Sequence, residues 1–172
     1  MNCTRLLTLD DAPALARVLT ENRDFLKPWD PVRDDAFFTV AGQLHGLREA
    51  LEAHASGTGV ALAMLDESGA LVGRLNVNGI TRGAFQSASL GYWVAAAANG
   101  RGIATRAVAE VKTLAFTELG LHRLQAETLL HNAASQRVLT RNGFLPYGVA
   151  PQYLKIAGRW QDHVLYQVLN PS

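Results

Sequence analysis

The stretch VAAAANGRGIAT, residues 94–105, decides how the rest of the chain is read. An apolar strand ends at Val94 and passes through four alanines into Asn99-Gly100-Arg101-Gly102. Helical spacing begins at once with Ile103, Ala104 and Thr105. Small residues at such a junction let a ligand approach the backbone closely. The first turn of the helix leaves N–H groups without partners, and the helix dipole adds positive potential there. The turn is therefore expected to cradle an anion such as a pyrophosphate, with Arg101 and Arg106 adding charge. A dinucleotide-binding G-x-G-x-x-G does not fit, because its third glycine position is Thr105 and the turn lies mid-chain. A Walker A loop does not fit either, because no Gly-Lys-Ser/Thr follows. The competing reading is a turn whose glycines serve geometry alone.

Working outward, residues 88–95 read as the strand that enters the turn, and 101–118 as the helix that leaves it. Ala104, Ala107, Val108, Val111 and Ala115 share one face of that helix. Upstream, 60–65 and 71–77 form a hairpin around Asp66-Glu67-Ser68-Gly69. Before it, 3–9 is a strand, Asp10 and Asp11 cap a helix to about Asn22, and 35–55 is a second helix carrying Leu44, Leu47 and Leu51. Residues 24–34, with Pro28 and Pro31, read as a loop. Downstream, 123–130 alternates as a strand, 133–142 is a helix ended by Gly143, and 144–156 and 160–168 are strands. The order β-α-α-β-β-β-α-β-α-β-β predicts an α/β (α+β) fold with a mixed sheet flanked by helices.

The chain has 172 residues, 48% of them hydrophobic and 18% charged, with a formal net charge of +1. That length predicts one domain over 1–172, large enough to bury a core. The near-neutral charge argues against direct nucleic-acid binding. A single cysteine, Cys3, excludes a disulfide framework and a multi-thiolate metal site, and the five His lack metal-like spacing, so no metal is expected. No apolar run reaches the roughly 18–20 residues of a membrane span. The opening MNCTRLLTLDD carries acids early and has no long apolar core, so no signal peptide is expected and the protein is read as cytoplasmic.

A second motif, HNAASQRVLTRNGF (131–144), follows the 123–130 strand. With the glycine turn it resembles the GNAT acetyltransferases: N-G-R-G-I-A is similar to their Q/R-x-x-G-x-G/A acetyl-CoA signature, and Asn132, Ser135 and Gly143-Phe144 match an N-x-x-S element spaced to G-F. Four further stretches, ENRDFLKPWDPVRD (21–34), LGYW (90–93), LHRLQAE (121–127) and YLKIAGRWQDHVLY (153–166), resemble the bacterial ribosomal-protein-alanine branch, RimJ and RimL, with the RimJ type nearer. The resemblance implies a mostly antiparallel GNAT sheet and acetyl-CoA as cosubstrate. It also implies transfer to the N-terminal α-amine of a protein, often an alanine on a small-subunit ribosomal protein, by a monomer or homodimer. It places the cofactor along Tyr92, Trp93, Val94, Asn99, Gly100, Arg101, Gly102, Ile103, Ala104 and Thr105. Asn132 would meet the pantetheine arm and Ser135 the thioester sulfur. Asn99 stands where the family has Gln or Arg, so the backbone rather than this side chain carries the expected cradle.

An α-amine has a pKa of about 7.7–8.0, so the acceptor needs only a modest base and no covalent nucleophile. Cys3 is accordingly expected to be structural. Glu127, five residues before Asn132, sits where some N-terminal acetyltransferases of the wider family have a general base; the competing reading is a solvated strand residue. Asp162, His131 and His163 remain open, with structural roles favoured. Phe25, Trp29 and Asp30 in the two-proline segment are expected to line the acceptor site, with Asp24, Asp30 or Asp34 receiving the amine; the competing reading is a loop packed over the core. Two other functions compete: acetylation of a small-molecule amine (metabolite or antibiotic), separable by an acceptor screen, and non-enzymatic CoA binding, separable by binding without transfer.

Overall fold

The sheet is built around one parallel pair. In the computed structural model, which describes residues 2–171, seven strands lie in the order β1-β2-β3-β4-β5-β7-β6. They span Thr4–Leu6 (β1), Val60–Leu65 (β2), Leu71–Thr81 (β3), Ser87–Val94 (β4), Arg123–Leu129 (β5), Leu145–Ile156 (β6) and Arg159–Leu169 (β7). Every neighbouring pair is antiparallel except β4 and β5. A parallel pair needs a crossover, and helix α4 (Ile103–Thr113), continued by a wider π turn over Leu114–Glu118, supplies it. The other helices are α1 (Ala12–Glu21), the single turn α2 (Arg23–Leu26), α3 (Val40–Ala55) and α5 (Ala133–Arg141). The expected mixed, mostly antiparallel sheet flanked by helices is thus present. Met1 and Ser172, the ends of the expected 1–172 domain, lie outside the described residues.

Alternation explains the core. In β3, Leu71, Gly73, Leu75 and Val77 are buried while Val72, Arg74 and Asn76 are half-buried, and β5 alternates likewise around Leu124, Ala126 and Thr128. One hydrophobic cluster runs from Cys3 and Leu15 through Leu75, Val108 and Leu124 to Phe144.

Local boundaries differ from the sequence reading where capping chemistry intervenes. The expected helix 35–55 is broken: Asp34 caps a short 3-10 turn at Asp35–Phe38, and Thr39, in extended backbone, caps α3 through the Gly42 N–H. The loop expected at 24–34 begins with the helical turn α2. The cap expected from Asp10 and Asp11 lies one turn earlier, where Asp11 accepts the Thr8 N–H at 2.8 Å and holds Arg5 through both carboxylate oxygens. The Arg5 guanidinium, helped by the Thr8 N–H, holds the Asp11 carboxyl below its usual 3.8 against the opposing effect of burial. A depressed carboxyl stabilises the fold above its unfolded pKa and loses that contribution as pH falls. Asp11→Asn is therefore expected to cost about 1–2 kcal/mol at neutral pH. Urea melts should show that difference shrinking once pH drops past 3.8; a pH-independent difference would refute the assignment.

The Asn142-Gly143-Phe144 end of the second motif is structural. Gly143 has φ +81, its N–H reaches Thr140 O at 3.0 Å, and the Phe144 N–H reaches Leu139 O at 3.1 Å. That is a Schellman cap, with Leu139 and Phe144, both fully buried, as its apolar contact. The Asn142 amide then ties α5 to α4 through Thr105 O at 3.1 Å.

Candidate active site

The parallel pairing of β4 with β5 covers only Ser87–Leu90 against Arg123–Ala126. Beyond it β4 continues to Val94 and β5 to Leu129, so the strands part and leave a gap. The Ala95 N–H bonds to Val72 O at 2.8 Å across the β3 side. Backbone alternation then turns the N–H groups of Val94 and Tyr92 away from β3, into the gap.

Two cavities meet there. One, of about 570 Å³, is lined by Phe25, Val94, Asn99, Gly100, Ala104, Asn132 and Arg137 among others. The other, of about 490 Å³, is lined by Asp30, Arg33, Arg74, Gly91, Glu127 and His163 among others. Leu26, Trp29, Tyr92, Trp93, Asn132 and Ser135 line both.

The first cavity carries the glycine turn. Gly100 and Gly102 adopt φ of +76 and +74, and Gly102 is the N-cap of α4. These are left-handed conformations that side chains resist, so both glycines are required by the backbone as well as by any ligand. Asn99, Gly100 and Ala104 line the cavity, whereas Ile103 is turned into the core. The side chains of Arg101 and Arg106 do not stand free as expected: both are ion-paired to Glu67 of the β2–β3 turn. An unexpected cation, Arg137 on α5, lines this cavity instead.

Where the cavities join, the Tyr92 hydroxyl and Ser135 Oγ lie 2.8 Å apart. Burial pushes the Tyr92 phenol up to about 12, against the opposing Ser135 hydrogen bond. Asn132 Oδ1 accepts the Ser135 N–H at 3.1 Å and so caps α5. Its Nδ2 group makes no hydrogen bond among the described residues and is available to a ligand.

In the second cavity the Ser89 hydroxyl donates to Glu127 Oε2 at 3.0 Å. Burial raises the Glu127 carboxyl above its usual 4.5, more than the Ser89 hydroxyl and the His163 charge lower it. Glu127 is thus a half-buried carboxyl on the cavity wall rather than a solvated strand residue. Asp30 also lines the cavity, but its carboxylate is paired with Arg33 at 2.9 Å, which weakens it as the expected seat for an amine. Phe25, expected at the acceptor site, lines the glycine-turn cavity instead, because α2 carries it to that side.

The remaining candidates have these surroundings. Asp162 Oδ1 accepts the Gln152 N–H at 2.9 Å, steadying a residue at φ +47. His131 packs on Trp29 with ring centroids 5.4 Å apart. His163 is buried, with Nδ1 against Gln161 O at 2.9 Å. Cys3 is buried and lines neither cavity; burial raises its thiol pKa, so it stays protonated.

A cleft between diverging strands, with a glycine-built helix start on one side and a carboxyl on the other, can hold an acyl donor and an acceptor at once. The model of the acetyltransferase (GNAT) domain matches residues 3–145. A probable N-acetyltransferase of Bacillus subtilis, YjcK, is 38% identical, with 98% of this chain and 93% of that protein covered. The ribosomal protein uS5-alanine N-acetyltransferase of Escherichia coli is 35% identical, covering 98% and 87%. The structure of Mycobacterium smegmatis RimJ in complex with CoA-disulfide superposes with a TM-score of 0.93 at 31% identity, covering 98% and 83%. The parted strands, the glycine turn and a likeness that runs the length of the chain place this acyltransferase in the GNAT acetyltransferase family.

Proposed function

We propose that the protein transfers acetyl from acetyl-CoA to the N-terminal α-amine of a protein, a ribosomal protein beginning with alanine being the best-supported acceptor. The observation that carries this is the joining of the two cavities at the β4–β5 gap, which lets donor and acceptor meet without a covalent enzyme intermediate. The uS5-alanine activity of the Escherichia coli relative points to the acceptor. An acceptor on the ribosome implies work in the cytoplasm, and no helix among the described residues is long and apolar enough to cross a membrane.

The residues present suit the cosubstrate. The first-turn N–H groups of α4 and the open Gly100 turn fit a pyrophosphate, Arg137 adds positive charge, and the free Asn132 amide suits an amide-rich arm. Acetyl-CoA supplies a thioester carbonyl as electrophile and a thiolate as leaving group. Glu127 takes the proton of the incoming amine, directly or through one water. The Tyr92 and Val94 N–H groups turned into the gap hold the negative charge that develops on the carbonyl oxygen. The departing thiolate accepts a hydrogen bond from the Tyr92–Ser135 hydroxyl pair and is protonated through it, with solvent replacing the proton so that the pair ends neutral.

The test is direct. Incubation with acetyl-CoA and Ala-starting peptides is expected to add one acetyl group at the α-amine, read by mass spectrometry. Faster turnover of small amines than of every peptide would assign the enzyme to small-molecule acceptors instead.

A further inference from the structure

One face of the sheet carries, besides Glu127, a cation that acetyl transfer does not use. Arg74 and Asn76 on β3, Gly91 on β4 and Glu127 on β5 share that face, because Asn76 pairs with Gly91 and Leu90 pairs with Ala126, one step before Glu127. Gly91 leaves a bare floor: a Cβ built on it meets nothing within 4 Å. On one side of that floor stands Glu127, on the other Asn76, with Arg74 two residues further along β3 opposite Trp93, and all of them line the same cavity.

Six of the arginines, Arg5, Arg17, Arg23, Arg33, Arg101 and Arg106, are in ion pairs; Arg74 is not, and it lines the acceptor cavity. Arg74 is half-buried, its Nε donates to Asn76 Oδ1 at 2.9 Å, and among the described residues no carboxylate lies within 4.0 Å of it. Neither terminal nitrogen has a hydrogen-bond acceptor among the described residues, and the residue lines the cavity. Glu49 lines the same cavity but pairs with His45 at 3.4 Å. Arg33, on the opposite wall, adds a second positive charge near enough to lower the Arg74 pKa, after burial as the larger cause. A half-buried cation held without a counterion costs free energy. A planar fork of free N–H donors is also the geometry that binds a carboxylate bidentately.

We infer that Arg74 forms a carboxylate subsite of the acceptor cavity, selecting peptides with an acidic side chain at the second or third position. This rests on the peptide-acceptor reading above. The spacing sets the position. Arg74 stands two strands across from Glu127 and, pairing with Trp93, two residues further along than the Gly91 level, at least about 12 Å at roughly 4.8 Å per strand and 3.4 Å per residue. The amine and carboxylate of one free amino acid are too close together to span that width. One or two further residues, at about 3.5 Å each, bring an acidic side chain into reach.

The test uses amidated tetrapeptides beginning with Ala, carrying Asp or Glu at the second or third position, against their Asn and Gln counterparts. A neutral peptide with a free C-terminus separates a terminal carboxylate from a side-chain one. At low salt, kcat/KM for the acidic peptides is expected to exceed that of the amide counterparts by about tenfold. R74Q should bring this ratio to within about twofold of unity, and R74K should keep part of it. A wild-type ratio near unity, or a ratio unchanged in R74Q, overturns the subsite. Titration calorimetry of the same peptides onto the CoA-loaded protein reads the subsite without catalysis. Tighter binding of the acidic peptides, lost in R74Q, supports it, and equal binding overturns it. The preference present in binding but with no acetyl transferred sinks the peptide-acetylation reading and leaves the subsite standing.

Discussion

Glu127→Gln is expected to lower kcat/KM for an Ala-starting peptide by about a hundredfold or more, the usual worth of a positioned base. The variant keeps the size and the hydrogen-bonding capacity of the side chain, so the Ser89 contact at 3.0 Å survives in altered form and the fold is undisturbed. The loss should fall on the peptide and not on acetyl-CoA affinity, since Glu127 lines only the second cavity. The pH profile gives an independent check. Only the ionised carboxyl can take a proton, and burial raises its pKa above 4.5. Beneath the fall set by the acceptor amine's own pKa of about 7.7–8.0, activity should therefore drop again as pH passes through that raised value, and this second acid limb should disappear in Glu127→Gln. A variant with wild-type rate, or with its second acid limb intact, shows that the amine loses its proton elsewhere.

The second large effect concerns the leaving group. Tyr92→Phe is expected to lower kcat by about a hundredfold, and Ser135→Ala by a comparable or smaller factor. The two hydroxyls lie 2.8 Å apart and form one proton-donating unit. The double variant should therefore cost little more than the worse single one, the non-additivity of groups that act together. Because burial pushes the Tyr92 phenol up to about 12, the donor stays protonated through the working range, and its ionisation should bring no alkaline fall in kcat below that value. Losses that multiply in the double variant would show two independent roles. An unchanged kcat in both singles would assign protonation of the thiolate to solvent.

Much of this was legible in the sequence because it is local. A strand running into Asn99-Gly100-Arg101-Gly102 and a helix opening at Ile103 are contiguous, and so is the Asn132 to Phe144 run whose caps and Schellman turn the structure displays. What escaped was set by contacts distant in sequence. Arg101 and Arg106 share the single carboxylate of Glu67, a turn residue with no local signal of that role. Arg74 reads as an ordinary half-exposed strand residue until the register sets it opposite Trp93, on the face that carries Gly91 and Glu127. The Tyr92 hydroxyl finds Ser135 only because β4 and α5 meet at the gap. Phe25 was assigned to the acceptor side because the sequence shows two prolines and aromatics but not which way the α2 turn faces. The break at Thr39 was written in the chain, since Asp34 and Thr39 are both good caps, but apolar spacing over 35–55 hid it.

The short β4–β5 ladder has a mechanical consequence. Strands β1 to β4 form one leaf of the sheet and β5, β7 and β6 the other, and their direct pairing is a spine of four residue pairs. A molecule lodged between Val94 and Asn132 touches both leaves and fastens them where the backbone does not. Donor occupancy is thereby coupled to the rigidity of the whole sheet, so that the same filling of the cleft that readies the reaction also braces the hinge on which the acceptor wall is hung.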